Sequence, residues 1–230
     1  HALGLPRRCR VVTGCLDQFA GAIGAGIVEP GQVCETTGTV LSVVRCSDRF
    51  VPGLTERGVW QGPGYEPGVF YQMDFSSLAA NLLEAYRKDR APDDTFEQLD
   101  REAAAVLAGD AHAASRYPLD VGRSESCGRP VFPAPPPSPG HAALAIMHAV
   151  AERLPAHLDR VCGDHRPTIV TCLGGAGRSE LWRQLKQEMT GLMMRPSRAE
   201  EPALIGAAVC ARSARSAEGI ASVAQQWTHP

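Results

Sequence analysis

The chain has 230 residues, of which 44% are hydrophobic and 21% are charged, and its formal net charge is −2. A chain of this length and composition can bury a sizeable core, which is typical of a globular protein. The nearly balanced charge gives no electrostatic reason to expect a nucleic-acid partner. The longest apolar runs fall well short of the roughly 18 residues that cross a membrane, so we expect no membrane partner either.

The predicted elements alternate between strands and helices along the chain. From turn signals and apolar periodicity, we predict strands over residues 10–13, 32–36, 40–45, 69–73, 168–172 and 192–194. We predict helices over residues 17–26, 78–86, 95–107, 141–158, 181–189, 202–211 and 216–227. Strands that are followed by helices in this order indicate an α/β fold.

Several local signals refine these elements. Ser76 or Ser77 is expected to cap the helix that follows it, and Thr95 with Gln98 fits a capping box. Pro155 is expected to bend or break its helix, because proline lacks the N–H that an interior turn uses.

The six prolines between residues 129 and 140 forbid regular structure and favour an extended path. A globular domain continues on both sides of this segment. We therefore predict that residues 129–140 are a surface connector within one domain that spans residues 1–230.

Eight cysteines are scattered along the chain, and no two have the CxxC spacing that is usual for structural zinc. Cys162 and His165 come nearest to a ligand cluster and are only a single pair. We therefore expect no metal-ligating residues, and we expect the cysteines to act as small buried apolar residues. Scattered cysteines suit a reducing compartment, so we expect a cytoplasmic protein.

Basic residues gather near the end of the chain, and we expect them to lie on a solvated helix face. They are Arg178, Arg183, Lys186, Arg195 and Arg198.

Residues 14–26, which read GCLDQFAGAIGAG, join a predicted strand to a helix of small residues. Because an interior glycine costs a helix about 1 kcal/mol relative to alanine, this density is useful only where another backbone or a ligand approaches closely. Asp17 lies at the strand-to-helix corner, where the first helical N–H groups have no partner in the helix. Its carboxylate is either an N-cap or a chemical group, and the spacing alone leaves both open.

Two glycine turns have the composition of anion-binding loops. Gly38, flanked by Thr37 and Thr39 at the tip of a predicted hairpin, lets backbone N–H groups point outward, and the hydroxyls add donors. Gly174 and Gly175 end a predicted buried strand and permit close approach to the backbone. Each turn is also explained as a plain tight turn, and neither is a Walker A loop or a GxGxxG fingerprint.

Three motifs together resemble the carboxy-terminal domain of the FGGY carbohydrate kinases, the group of xylulokinase, gluconokinase and glycerol kinase. Residues 14–26 are similar to the family's G-x-x-D-Q stretch with its small-residue helix, and residues 37–39 follow as they do there. Residues 174–184, which read GGAGRSELWRQ, are similar to the family's G-G-G-x-x-S-x-x-W-x-Q adenosine motif. The resemblance extends from about residue 10 to about residue 212 and is thin between residues 50 and 140.

The resemblance implies an α/β fold of the actin-like ATPase (ribonuclease H-like) type, with a mixed sheet flanked by helices. It implies that the chain is half of a longer protein whose amino-terminal domain would bind most of a sugar or polyol substrate. The implied cofactors are ATP and Mg²⁺, and the implied reaction transfers the γ-phosphate of ATP to a hydroxyl of that substrate. We expect little turnover from this chain alone.

The same resemblance implies roles by position. Asp17 corresponds to the catalytic base that takes the proton from the substrate hydroxyl. The corresponding binding residues are Thr37, Gly38 and Thr39 in the phosphate loop and Gly174, Gly175 and Ser179 in the adenosine site. Apolar surface that the amino-terminal domain would cover could also associate two copies into a homodimer.

Two positions depart from the family's pattern. Val40 stands where the family often has Ser or Thr, and Ala80 falls roughly where a glycine often lines the nucleotide pocket. With the amino-terminal domain absent, these departures keep two other interpretations open. One is a module that binds a nucleotide or a partner without chemistry, and the other is a scaffold whose glycines serve packing alone.

Overall fold

The computed structural model describes residues 4, 6, 8–64, 66–216 and 218–228. In chain order, its strands are β1 (Val33–Thr37), β2 (Leu41–Ser47), β3 (Trp60–Pro63), β4 (Phe70–Ser76), β5 (Ile169–Leu173) and β6 (Met193–Pro196). Its α-helices are α1 (Asp17–Gly24), α2 (Ala80–Arg90), α3 (Phe96–Gly109), α4 (Ala113–Arg116), α5 (Val121–Cys127), α6 (Pro139–Cys162), α7 (Gly174–Arg178), α8 (Glu180–Thr190), α9 (Pro202–Ser213) and α10 (Ile220–Thr228).

These strands form a mixed sheet in the order β3-β4-β2-β1-β5-β6. The pairs β1–β2, β2–β4 and β3–β4 are antiparallel, whereas β1–β5 and β5–β6 are parallel. Because β1 and β5 are parallel neighbours, with Thr36 opposite Leu173, both strands end at the same edge of the sheet. We call this edge the carboxyl edge. The turns that follow β1 and β5 therefore lie next to each other there.

Helices cover both faces of the sheet. Successive strand residues point to opposite faces, so that Val43 packs into the core beneath α6 while Val44 packs into the core beneath α1 and α9. The long helix α6 supplies much of the first core, with buried Leu144, Ile146, Met147, Val150, Leu154 and Leu158. The predicted α/β class, with a mixed sheet flanked by helices, is confirmed.

Helices α1 and α9 pack backbone to backbone through two glycines. A Cβ atom added to Gly24 would lie 1.8 Å from the carbonyl oxygen of Pro202. One added to Gly206 would lie 1.8 Å from the carbonyl oxygen of Ala20. Neither position has room for a side chain, because protein interiors are close-packed. Of the two explanations for the small residues of α1, close approach of another backbone is therefore the one that the structure shows.

Two local predictions are wrong. Residues 10–13 form no strand, and Val11 is 91% exposed. β-Branched residues favour a strand only where a neighbouring strand is available to form backbone hydrogen bonds with it. Helix α2 begins after Ala79 without a side-chain capping bond. Ser76 Oγ instead donates to the carbonyl of Leu78, and Ser76 itself ends β4.

Helix α6 does not break at Pro155 but continues to Cys162. The buried residues Leu154 and Leu158 on either side of the proline hold this part of the helix in the core, and tertiary packing of this kind outweighs local propensity. At its other end α6 begins at Pro139, two residues before the predicted start, because proline suits the first turn of a helix.

The capping box at the start of α3 is confirmed. Thr95 Oγ1 accepts from the Gln98 N–H at 3.2 Å, and Gln98 Oε1 accepts from the Thr95 N–H at 2.7 Å. Five cysteines are buried as expected, namely Cys34, Cys46, Cys162, Cys172 and Cys210, whereas Cys9 and Cys127 are exposed. Burial raises the pKa of the Cys46 thiol to about 12, so that this side chain stays protonated at neutral pH.

A buried ionic cluster joins β4 to α6. Asp74 Oδ2 lies 2.7 Å from His157 Nδ1 and 2.5 Å from Arg160 Nε, and both Asp74 and His157 are buried. Burial lowers the pKa of His157, although the hydrogen bond with Asp74 opposes that shift. The lowered pKa makes the imidazole mostly neutral at pH 7, and its Nδ1 lies between the Asp74 carboxylate and Arg160 Nη2, which is 3.0 Å away.

We predict that Gly24→Ala destabilises the fold by about 3 kcal/mol or more, because the added methyl overlaps the backbone of α9 and must push the two helices apart. Urea unfolding followed by circular dichroism measures this change. Gly122→Ala is the matched control: Gly122 lies in α5 with nothing within 4 Å of an added Cβ, so alanine should stabilise by up to about 1 kcal/mol. Equal stability of the two variants would contradict the prediction.

We also predict that the titration of His157 lowers the free energy of unfolding as the pH falls below 6.5. Between its lowered pKa in the folded chain and its ordinary value of 6.5, the unfolded state binds more protons than the folded state. The free energy of unfolding therefore falls as the pH drops below 6.5, by at most about 1.4 kcal/mol per pH unit from this group.

Urea titrations across this pH range should show a shallower dependence in His157→Gln than in the parent chain. His112→Gln, at an exposed histidine, is the control and should leave the dependence unchanged. A pH dependence that is the same in all three proteins would show that His157 does not titrate differently on folding.

Candidate functional site

The two glycine turns lie side by side at the carboxyl edge. A Cβ atom added to Gly174 would lie 3.8 Å from Thr36 Cγ2 and 4.0 Å from the carbonyl oxygen of Thr37. Gly174 has a φ of 72°, a left-handed conformation that favours glycine, and it turns the chain directly from β5 into α7. The structure thus brings together two turns that are far apart in the sequence.

The hairpin tip (residues 38–40) presents its backbone at this edge. The Gly38 N–H donates to the carbonyl of Val40 at 3.1 Å, and the Gly38 carbonyl accepts from the Asn81 N–H in the first turn of α2 at 3.2 Å. Gly38 is half-buried and Thr39 is exposed. A Cβ added to Gly38 would meet nothing within 4 Å, so open space lies beside the backbone of the tip. Through Asn81, the adjacent Ala80 also lies close to the tip.

Thr37 directs its hydroxyl away from the edge and into the core. Its Oγ1 donates to Glu35 Oε2 at 2.8 Å and accepts from Lys186 Nζ at 2.8 Å. Lys186 Nζ also donates to Glu35 Oε1 at 2.8 Å, and none of the three residues is more than 1% exposed. The expectation that the Thr37 hydroxyl adds a donor to the loop is wrong, because its hydrogen is used by Glu35. Thr37 can reach a ligand only through its backbone.

Lys186 does not lie where its sequence context predicts. It was expected on a solvated helix face, yet its side chain is fully buried and paired with Glu35. The signal was present in the spacing, since the buried residues of α8 are Leu181, Trp182, Leu185 and Lys186, which lie on one side of a helix. Glu35, within the otherwise apolar or small residues of β1, is the matching signal on the sheet.

Asp17 is the first residue of α1, and its side chain is exposed beside the hairpin. Its Oδ1 accepts from the Gln18 N–H at 2.8 Å. The N-cap of α1 is Leu16, so the explanation of Asp17 as an N-cap is wrong. Gln18 Oε1 accepts from the buried Ser42 Oγ at 2.8 Å, and Ser42 is paired opposite Thr36. These contacts place the start of α1 next to the β1–β2 hairpin.

The glycines after β5 divide into two kinds. Gly175 is exposed, and a Cβ added there would meet nothing within 4 Å, so its backbone is open to a ligand. A Cβ added to Gly177 would lie 2.8 Å from the backbone of Cys172, so this glycine lets α7 pack against β5. Gly175 is therefore free for binding, whereas Gly177 serves packing.

Ser179 is the N-cap of α8. Its Oγ accepts from the Trp182 N–H at 3.0 Å and donates to Asp100 Oδ1 on α3. The hydroxyl has one donor and two acceptor positions, so these two bonds leave one lone pair for a further donor. Ser179 is thus engaged structurally and retains a single acceptor position.

Exposed apolar side chains lie near the same edge. Leu16 precedes Asp17 and is 43% exposed. Trp60 and Phe75 are exposed and pack edge to face, with ring centroids 5.9 Å apart, and Phe75 is paired opposite Ser42. The surface near the start of α1 is therefore unusually apolar for a sheet edge that faces solvent.

Among the residues that the structure describes, no group of three or more His, Cys, Asp and Glu side chains is arranged to hold a metal ion. Within that same part of the chain, no helix combines the length and the apolar character needed to cross a membrane. The buried charged groups at this site, Glu35 and Lys186, are paired with each other.

Solved sugar kinases share this architecture. The ligand-bound xylulose kinase from Lactobacillus acidophilus superposes with a TM-score of 0.77 over 99% of this chain and 47% of its own, at 14% identity. The xylulose kinase from Rhodospirillum rubrum gives 0.67 over 95% of this chain and 45% of its own, at 21% identity. Plasmodium falciparum glycerol kinase with ADP gives 0.66 over 94% and 45%, at 17% identity. The fold is that of the actin-like ATPases, as the sequence resemblance implied.

The model of the FGGY family of carbohydrate kinases, C-terminal domain, matches residues 33–215. The chain belongs to this family. It is 26% identical over 219 residues to the xylulose kinase of Bacillus subtilis (strain 168), an alignment that covers 90% of this chain and 43% of that protein. The chain thus spans less than half the length of the relatives that it matches. Asp17 precedes the matched range of the family model.

Proposed function

We propose that this chain forms the nucleotide-binding half of an ATP-dependent carbohydrate kinase that transfers the γ-phosphate of ATP to a hydroxyl of a sugar or polyol. One observation supports this function most. The start of α1, which carries Asp17, is joined to the hairpin by the Gln18–Ser42 hydrogen bond, and Thr36, paired opposite Ser42, lies beside Gly174 at the carboxyl edge. Because three of the similar proteins reported above are named xylulose kinases, a small keto sugar is the first substrate to test.

The two open glycine turns fit the nucleotide. A side chain at Gly38 or Gly175 would occupy free space, so a ligand can approach either backbone. We assign the phosphates to the hairpin tip with the exposed Thr39 hydroxyl, and the adenosine to Gly174, Gly175 and the remaining lone pair of Ser179. The described residues offer no ready cluster of metal ligands, so Mg²⁺ would be held mainly through the phosphates.

Asp17 would act as the general base. Its exposed carboxylate can take the proton of a substrate hydroxyl whose oxygen attacks the γ-phosphorus. Phosphoryl transfer depends mainly on alignment and charge neutralisation, so the placing of this carboxylate matters as much as its basicity. The Gln18–Ser42 hydrogen bond holds the first turn of α1, and the Gly24–Gly206 contact holds the rest of the helix.

The sugar would be bound mainly by an amino-terminal domain, which corresponds to the length of the relatives that this chain does not span. The exposed Leu16, Trp60 and Phe75 are the surface that such a domain would cover. Where that domain is missing, the same apolar surface would favour a homodimer. Turnover by this chain alone would then be low.

A nucleotide-binding module without chemistry is the second candidate. Val40 and the inward-turned Thr37 leave Thr39 as the exposed hydroxyl of the loop, which reduces the number of groups that can contact a transferring phosphate. Such a module would bind Mg–ATP without supporting transfer in any completed protein. The activity of a completed kinase that binds Mg–ATP separates the two candidates.

We predict that Gly38→Ala weakens Mg–ATP binding to the chain at least about tenfold, or about 1.4 kcal/mol, because the added methyl occupies the space beside the tip. Isothermal titration calorimetry measures the affinity. Gly122→Ala, which fills open space on α5, is the control and should bind as the parent chain does. Absence of Mg–ATP binding by the parent chain would contradict the proposed nucleotide site.

We predict that Asp17→Asn lowers kcat about 10²- to 10⁴-fold in a kinase completed by fusing this chain to the amino-terminal half of the Bacillus subtilis relative. The KM for ATP should change little, because Asp17 is assigned to the sugar hydroxyl. Asp93→Asn is the control and should leave kcat unchanged, because Asp93 is an exposed aspartate in the loop between α2 and α3. Full activity of the Asp17 variant would refute the base assignment, and a completed but inactive parent that binds Mg–ATP would favour the second candidate.

A further inference from the structure

We propose that Lys186 and Glu35 are positioning residues that set the hairpin tip for phosphate binding and couple it to α8. This inference rests on the function proposed above. Its basis is the closed triangle of 2.8 Å contacts among Lys186 Nζ, the Glu35 carboxylate and Thr37 Oγ1, all inaccessible to solvent or nearly so.

The triangle fixes the last residue before the tip. Thr37 ends β1, and both its hydroxyl proton and one of its lone pairs are used, on Glu35 and Lys186 respectively. The side chain therefore cannot rotate without leaving a buried polar group unpaired, which destabilises the fold. Gly38 follows directly and has no side chain, so its orientation depends on its backbone bonds to Val40 and Asn81 and on the direction of Thr37.

The triangle also connects the two proposed subsites of the nucleotide. Helix α8 begins after Ser179, which we assign to the adenosine, and Lys186 lies on the same helix about 10 Å further along. The Lys186 ammonium lies 5.6 Å from the centroid of the Trp182 ring, which limits its freedom further. Helix α8 thus contacts the proposed adenosine site at its start. It contacts the proposed phosphate site through Lys186, the one buried lysine among the described residues of this helix.

Stability alone does not require this pair. Replacing a buried ion pair by apolar residues of similar volume is often neutral or stabilising, because the charges lose their hydration on burial. We therefore assign the pair the role of fixing the direction of Thr37, on which the orientation of the hairpin tip depends. We therefore expect that apolar residues can replace the pair without unfolding the chain.

The experiment compares the double variant Glu35→Leu/Lys186→Met with the parent chain. Thermal unfolding should show that the double variant still folds and unfolds in one transition, with a Tm lowered because the buried Thr37 hydroxyl has lost both partners. Hydrogen exchange of the Gly38 amide, which is bonded to Val40 in the parent, should accelerate at least tenfold in the ligand-free variant. The Kd for Mg–ATP should rise at least tenfold.

Two single variants complete the design. Thr37→Val keeps the ion pair and the side-chain shape but removes the hydroxyl, and it should show the same two effects to a smaller degree. Thr171→Val is the matched control, because Thr171 is buried on the neighbouring strand β5 and is not part of the triangle. It should leave both the Gly38 exchange rate and the Kd unchanged.

The outcomes separate this inference from the proposed function. Parent-like exchange and affinity in a folded double variant would show that the pair is structural only and would overturn the inference. Faster exchange of the Gly38 amide with a parent-like Kd for Mg–ATP would overturn the proposed effect of the pair on phosphate binding. If the parent chain does not bind Mg–ATP, the proposed function fails, and an unchanged Gly38 exchange rate in the double variant would separately refute positioning.

Discussion

The parallel pairing of β1 with β5 is the interaction on which the arrangement of the site depends. It aligns two strands that are distant in sequence so that the hairpin tip and Gly174 follow at one edge. The same register decides which face each side chain occupies, with Glu35 and Thr37 on the α8 side and Thr36 beside Gly174. A slip of one residue would exchange these faces, bury Thr36 against Lys186 and leave Glu35 on the wrong side of the sheet.

Much of this fold could be predicted from local signals. The β1–β2 hairpin, the capping box at Thr95 and the helix after Gly174 are each determined by a few neighbouring residues, and each is present in the structure. The family resemblance came from motifs of the same kind, because glycines at turns constrain the backbone whatever surrounds them. Where the prediction needed a distant partner, as for a strand over residues 10–13, local composition was insufficient.

The site itself was less predictable, because its polar groups are defined by contacts across the fold. A lysine among other basic residues does not indicate that a glutamate on a different element will pair with it in the core. The prediction that Lys186 is solvated was therefore wrong. The direction of the Thr37 hydroxyl likewise follows from that pair rather than from the turn. Ser179 shows the same limit, since its hydroxyl is divided between its own helix and Asp100.

The close contact of Gly24 with α9 has a mechanical consequence. Because the backbones of the two helices touch, sliding or rolling would make backbone atoms overlap, so we expect α1 and α9 to move together. In the proposed kinase, a closing motion that brings Asp17 toward an amino-terminal domain would therefore carry α9 with it. The hinge of such a motion would then lie outside this helix pair, and the position of the Asp17 carboxylate would depend on both helices rather than on a flexible loop.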